Sequence, residues 1–374
     1  MRRRPSFSAR VARWQRRHGR RDLPWQSARD AYRIWLSEVM LQQTQVAVVI
    51  PYYERFVARF PDVRALARAA QDDVLALWSG LGYYGRARNL HRAAREVVRA
   101  HGGEFPRDFD SLVALPGIGR STAAAIAAFA AGERRAILDG NVKRVLARHA
   151  GIGGDPASAA VSAKLWSEAE ARLPRAGIAA YTQGMMDLGA TICVRTRPRC
   201  DACPVADDCV ARRQKRVAEF PGRRARAARR RERTVMLVIV SRGEVLLEKR
   251  PSEGIWGGLW SLPEAAPGED VPAVVKRRCG LEAASLEALA PFEHGFTHFT
   301  LEVQPLRVGL APGRRRAPPP PMTWMPLSEL RGAALPAPVR KLLDQLLRLQ
   351  EFVQHREPHR RVGELEQLLL DVDP

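Results

Sequence analysis

From Asp30 to Val210 the apolar positions recur at helical spacing, with Gly and Pro interruptions at Gly80-Leu81-Gly82, Gly102-Gly103, Pro116-Gly117 and Gly153-Gly154. This pattern predicts one helix after another, an all-α domain. Phe7, Val11 and Trp14 share the same spacing ahead of Leu23-Pro24-Trp25. The acid-free start therefore reads as a helix docking on that core and not as a targeting peptide. After residue 233 the period changes. Thr234 to Val240 and Glu244 to Glu248 are β-rich runs joined by a turn at 241–243, and Phe299 to Val308 is a further strand. A smaller α+β domain is expected there, with a stiff surface loop at Pro318 to Pro321. Residues 213–233 are almost entirely Arg, Ala and Lys around Phe220-Pro221-Gly222, which predicts a basic linker. The expected layout is a helical domain over 1–212, the linker, a second domain over 234–350 and an acidic, leucine-containing tail over 351–374, in keeping with two domains for 374 residues.

Charge changes this picture. Sixty-one Lys and Arg face 40 Asp and Glu, for a formal net charge of +21. Arginine stretches at Arg2 to Arg21, Arg195 to Arg199 and Arg212 to Arg233 flank the other features, which favours a polyanionic partner over a detachable tail. No apolar run approaches membrane-spanning length, so no membrane association and a cytoplasmic location are expected.

Four cysteines cluster at Cys193, Cys200, Cys203 and Cys209, while Cys279 stands alone and reads as a buried thiol. A disulfide framework suits neither the length nor the absence of a secretory signal. Four thiolates suit zinc or an iron-sulfur cluster, and the single Cys-x2-Cys knuckle leans toward the latter.

Leu115-Pro-Gly-Ile-Gly-Arg-Ser-Thr122 opens an Ala-rich helix from Ser121 to Ala131, preceded by a short helix from Asp110 to Ala114. Gly117 and Gly119 allow a tight turn whose N–H groups face outward at a helix N-terminus, a cradle for phosphate. On the predicted helix around Tyr32 to Gln45, Glu38 shares a face with Ile34, Leu41 and Gln45. An acid among apolar neighbours has its pKa raised and holds its proton, as a general acid must. Asp139 in Leu138-Asp-Gly-Asn-Val-Lys143 is a candidate partner, with an ordinary helix N-cap as the alternative. Two carboxylates in unlike environments suit cleavage of an N-glycosidic bond through an oxocarbenium-like state.

Ser-Glu-Val-Met-Leu-Gln-Gln-Thr, Gly-Leu-Gly-Tyr-Tyr-Gly-Arg-Ala-Arg-Asn-Leu, Leu-Pro-Gly-Ile-Gly-Arg-Ser-Thr, Leu-Asp-Gly-Asn-Val and the four cysteines occur in this order. Together they resemble the MutY-type adenine DNA glycosylases of the helix-hairpin-helix superfamily, over about residues 7 to 345. The resemblance implies one 4Fe-4S cluster on Cys193, Cys200, Cys203 and Cys209, in a loop over 193–209, and a helix-hairpin-helix over 110–131. It implies a bacterial, nucleoid-associated, monomeric enzyme that removes adenine mispaired with 8-oxoguanine or guanine in double-stranded DNA.

In that reading Glu38 protonates adenine and later handles water, while Asp139 stabilises the sugar cation. The base must be extruded to be reached. Gln43, beside Gln42, matches a wedge, and Tyr83 an intercalating ring next to the oxidised guanine. Trp25, Gln26 and Gln183 match the lining of the adenine pocket. Asn141 follows Asp139 at the site, and Lys143 matches a phosphate contact. Relatives that also cut the sugar-phosphate chain carry a lysine nucleophile where Ser121 stands, so the resemblance implies a pure glycosylase.

The second domain resembles a Nudix fold. Its matched box places Val274, Arg277 and Arg278 where magnesium-binding glutamates belong, and cations cannot hold a hard cation. A binding module is expected, with Phe296-Thr297-His298 matching the loop that senses 8-oxoguanine, usually Phe-Ser-His. Two other classes compete: a non-catalytic iron-sulfur DNA-binding or redox-sensing protein, opposed by Glu38 and Asp139, and a nucleotide hydrolase, opposed by the broken box.

Overall fold

The structure, a computed structural model, describes residues 5–27, 29–222, 229–313 and 317–354. Its contacts divide the chain into two compact units, Met1–Ala228 and Arg229–Pro374. Among the described residues no helix is long and apolar enough to cross a membrane.

The first unit is built of helices α1 (Phe7–His18), α2 (Ala31–Leu41), α3 (Val46–Arg59), α4 (Val63–Arg68), α5 (Gln71–Trp78) and α6 (Gly85–Ala100). They are followed by α7 (Phe109–Ala114), α8 (Arg120–Ala130), α9 (Gly140–Ala150), α10 (Ala159–Ala171), α11 (Ile178–Asp187) and α12 (Val210–Arg213). Polar caps set many of the starts. Ser6, Asp30, Asp62, Asp108, Asp139 and Ser158 each accept a hydrogen bond from a backbone N–H in the first turn of the following helix. The N-terminal helix docks as expected: Phe7 and Val11 are buried, and α1 packs on α11 where Gly184 has no side chain. A Cβ there would come within 2.9 Å of Val11 Cγ1.

Helix α2 is apolar nearly all round, with Ile34, Trp35, Leu36, Val39 and Met40 buried, which places it in the middle of the unit. It packs on α8, whose buried face runs Ala123 to Ala128 and lets the two backbones approach closely. The hairpin between α7 and α8 turns at Gly117, whose φ of +78° favours glycine, and an added Cβ would meet Asn89 at 2.7 Å.

The expected linker is shorter than 213–233. Residues up to Gly222 fold onto the first unit because Arg148, 3% exposed, needs carbonyl acceptors and finds them at Val217 (3.2 Å) and Phe220 (2.9 Å). Phe220 is itself buried, and Arg230–Arg233 open a strand. Residues 223–228 lie outside the described residues.

The second unit is one mixed sheet of β1 (Arg230–Ser241), β2 (Glu244–Lys249), β3 (Trp260–Ser261), β4 (Glu264–Ala265), β5 (Ala283–Ala288), β6 (Phe292–Gly295), β7 (Phe299–Leu310) and β8 (Met322–Pro326). The spine is β3-β2-β1-β7-β5, in which β1 and β7 run parallel from Arg230↔Phe299 to Ile239↔Val308. Arg242 and Gly243, both at positive φ, make the two-residue hairpin between β1 and β2. Helix α13 (Val271–Val274) and the turn after it cover the sheet with Val271, Val274, Val275 and Cys279. Cys279 is the expected buried thiol, and burial pushes its pKa up to about 11. Helix α14 runs from Ala337 to Gln354, through the expected start of the tail at 351; the rest of that tail, 355–374, lies outside the described residues.

Candidate active site

Glu38 sits one turn before the C-terminus of α2, between Ser37 and Val39, which are both buried. Burial raises its pKa from the ordinary 4.5 to about 8, and the neighbouring Asp139 charge adds to the rise. Asp139 caps α9, accepting from Val142 N at 2.7 Å. Burial pushes its pKa up too, but the Val142 and Asn141 N–H groups and the Arg144 guanidinium oppose the rise. Glu38 has no such relief, so of the two it is the group held more firmly in its protonated form.

An open cleft of about 980 Å³ is lined by both carboxylates, together with Gln42, Gln43, Ser121 and Asn141. An adjoining pocket of about 350 Å³ is lined by Trp25, Gln26, Gln183, Leu41 and Met186, and again by Glu38. Glu38 thus lines both cavities, while Asp139 faces only the cleft. Gln26 reaches the pocket, but its amide meets backbone at both ends, Leu23 N and Arg20 O. The Ser121 hydroxyl accepts from Leu138 N at 2.9 Å, supporting the loop that delivers Asp139.

Gln43 and Tyr83 stand on two neighbouring loops, both at positive φ (59° and 49°) and both exposed, Tyr83 to 48%. Such conformations persist in bulky residues only where the surroundings enforce them. Arg86 does so. Its guanidinium donates to the carbonyls of Val39, Met40 and Gln42 at the end of α2, to Thr44 Oγ1, and to Leu81 and Gly82 on the Tyr83 loop. Sequence reasoning missed this residue although it lies within the quoted Gly-Tyr-Tyr-Gly-Arg motif. Gly117 and Gly119 are exposed on the hairpin, and nothing lies within 4 Å of a Cβ built at Gly119. Lys143 is not among the cleft residues; its ammonium donates to the Pro156 carbonyl at 3.3 Å.

The four clustered cysteines line one void together with Arg148, His149 and Ile192. Among the described residues no three potential ligands converge as a single metal ion requires. Four sulfur donors around one void are a donor set that suits an iron-sulfur cluster as well as zinc. Burial pushes Cys203 up to about 12 and raises Cys200 and Cys209, so thiolates here need a bound cationic group. Arg148 donates to Cys193 Sγ at 3.4 Å, and Arg144 to the Cys193 carbonyl at 2.7 Å. Arg144 also holds Asn141 Oδ1 at 2.8 Å, so the cysteine loop and the turn bearing Asp139 are tied together. Gly189 lets them close, since a Cβ there would lie 2.5 Å from Asn141 Cβ.

In the second unit Phe296 N donates to Phe299 O at 2.8 Å, closing a turn with Thr297 and His298 exposed at its tip. Phe296 stacks on Phe299 at 4.5 Å, with His294 and Trp256 beside it, two aromatic supports absent from the sequence reading. Around the Nudix-like box, Arg278 donates to both oxygens of Glu248 on β2 at 2.9 and 2.8 Å, and Arg250 pairs with Glu264 at 2.9 Å. Val274 is buried, and Arg277 pairs with Glu269. Glu248, Glu264 and Glu269 are therefore engaged by guanidinium groups.

Comparison with known proteins places this geometry in a lineage. Residues 36–171 match the HhH-GPD superfamily base excision DNA repair protein family, and residues 234–345 match the NUDIX domain. The chain is 35% identical over 345 residues to the adenine DNA glycosylase of Buchnera aphidicola subsp. Acyrthosiphon pisum (strain APS), covering 90% of this chain and 97% of that protein. It is 35% identical over 402 residues to the adenine DNA glycosylase of Mus musculus, covering 91% of this chain and 77% of that one. A solved thermostable thymine-DNA glycosylase matches 56% of this chain and 95% of its own at 26% identity, with a TM-score of 0.50. Because the likeness to the curated relatives runs through both units and nearly the full length of the chain, this protein is a member of the adenine DNA glycosylase family.

Proposed function

We propose that this DNA glycosylase removes adenine paired with 8-oxoguanine or guanine by hydrolysis, without cutting the strand. The observation that carries the reading is the position of Glu38, shared by a base-sized pocket and the open cleft and holding a proton at neutral pH. An adenine extruded from the duplex would enter the pocket between Trp25 and Gln183, bringing a ring nitrogen to the Glu38 proton. Protonation turns the base into a leaving group, and the sugar left in the cleft carries positive charge beside Asp139. The N-cap hydrogen bonds and the Arg144 guanidinium favour the anionic form of Asp139 against the effect of burial. Water then completes the reaction, with Glu38, now ionised, as its base. No amine replaces it: Ser121 supports Leu138, and the Lys143 ammonium is held by Pro156.

Gln43 and Tyr83 are assigned to the gap and to the opposite strand, and Gly117, Gly119 and the N-terminus of α8 to backbone phosphate. The Phe296-Thr297-His298 turn is assigned to the oxidised guanine. A 4Fe-4S cluster is assigned to Cys193, Cys200, Cys203 and Cys209, which line one void; when bound it would supply a rigid cross-link of that loop. The test is single-turnover excision from a duplex with adenine opposite 8-oxoguanine. Wild type should release adenine, and Glu38→Gln should lose about 10²–10⁴-fold in rate. Excision by Glu38→Gln within tenfold of wild type would remove Glu38 from the chemistry.

A further inference from the structure

Asp187, the last residue of α11, is 0% exposed and lies outside the carboxylate pair. Its Oδ1 accepts from Arg20 Nε at 2.8 Å and Arg20 Nη2 at 2.7 Å, and its Oδ2 from Arg20 N at 3.0 Å. Gly19 makes room for it, since a Cβ there would lie 2.8 Å from Oδ2. One turn earlier on the same helix, Gln183 donates from Nε2 to Asp187 Oδ1 at 2.9 Å.

A carboxylate clamped by a guanidinium can only accept hydrogen bonds. The amide of Gln183 must therefore turn its NH2 toward Asp187, whichever way an isolated glutamine would settle. Its Oε1, an acceptor with no hydrogen to give, is left for the pocket that Gln183 lines with Glu38. Two other polar side chains that line this pocket, Gln26 and Ser37, are occupied. Gln26 is held by backbone at both ends, and the Ser37 hydroxyl donates to Ile34 O at 2.8 Å.

We propose that Asp187 is a positioning residue that sets base specificity by locking Gln183 with its carbonyl toward the pocket. The inference rests on the adenine glycosylase reading above. An acceptor beside a proton donor matches a purine edge that carries an amino group next to a ring nitrogen. A 6-oxo purine such as hypoxanthine would set its carbonyl oxygen against Gln183 Oε1, two acceptors with no hydrogen between them.

The experiment compares single-turnover excision of adenine and of hypoxanthine from otherwise identical duplexes, using the full-length protein and mismatch affinity as the check of folding. Releasing the lock with Asp187→Ala should narrow the adenine-to-hypoxanthine rate ratio by about 10–100-fold, the usual consequence of one buried polar group left unmatched. Gln183→Leu should narrow it similarly, and the double variant should narrow it no further, because Asp187 acts through Gln183. Gln183→Glu should keep the ratio even if adenine excision slows. A proton shared with Asp187 still leaves a carboxyl oxygen facing the pocket. Should Asp187→Ala fail to fold, the Gln183→Glu and Gln183→Leu pair decides alone. If Gln183→Glu loses discrimination as fully as Gln183→Leu, or if Asp187→Ala slows both bases by one factor, the lock is refuted. Failure of the wild type to excise adenine would instead refute the underlying function.

Discussion

The Arg86 guanidinium donates to the Gln42 carbonyl at 2.6 Å, and through the same group to Gly82 at 3.1 Å, so one half-buried cation joins the loop of Gln43 to the loop of Tyr83. Because it also closes the end of α2, the two exposed tips and Glu38 share one support. Arg86→Lys keeps the charge but offers a point donor in place of a planar fork. It should slow base extrusion by about 10–100-fold, given about 1.5–3 kcal/mol for a hydrogen bond to a charged group. Stopped-flow fluorescence of 2-aminopurine beside the lesion reports extrusion directly; an unchanged rate would show that the loops hold their shape without Arg86.

The pH dependence follows from Glu38. Its pKa rises on folding from the ordinary 4.5 to about 8, so the folded protein binds a proton that the unfolded chain releases between those values. Stability from this group therefore falls as pH increases from about 4.5 to 8 and is level above. Glu38→Gln should stabilise the protein more at pH 8.5 than at pH 5, as thermal unfolding at the two pH values will show. Excision by the wild type should decline above about pH 8, where the proton is lost.

Removal of one thiolate should release the bound group. Protein purified without air should be yellow-brown with about four irons per chain, and Cys203→Ser should lose colour and iron together. Since Arg144 links the cysteine loop to Asn141, the turn carrying Asp139 should loosen as well, read as faster amide exchange at Val142. Stoichiometric zinc without iron would contradict the assignment.

The abasic product should remain an intact strand until alkali or heat is applied, because Ser121 offers no amine. Borohydride should trap no covalent adduct with DNA. A trapped adduct that disappears in Lys143→Ala would place the nucleophile on a residue that is held by Pro156 in this structure.

Replacing Phe296 and His298 with alanine in the full-length protein should reduce the preference for 8-oxoguanine over guanine by about 1–3 kcal/mol. The rate of bond cleavage at saturating enzyme should hold. Trp256→Leu, which removes the ring next to Phe296, should reproduce part of the loss. Equal discrimination by all three proteins at matched salt would show that this turn does not read the opposite base.

Local signals made much of the chain legible before any coordinates. Helical periodicity and capping residues located α1, α2, α8 and α9, since a helix is decided by neighbours within four residues. Two glycines marked the hairpin, and the spacing of four cysteines marked side chains that line one void. An apolar face around Glu38 was enough to expect a raised pKa. Pairings across long sequence distances were not legible. The parallel match of β1 with β7 joins residues about seventy apart, and nothing in either strand names its partner. The basic run after residue 212 read as a linker by composition, yet Arg148, sixty-nine residues before Val217, folds its first part inward. Arg86 as a clamp and Asp187 as a lock depend on where three or four carbonyls, guanidinium groups and amides meet in space. Sequence supplies those groups and their local conformations, but only tertiary packing removes water from around them, and that is what turns a surface glutamine or arginine into a fixed, directional contact.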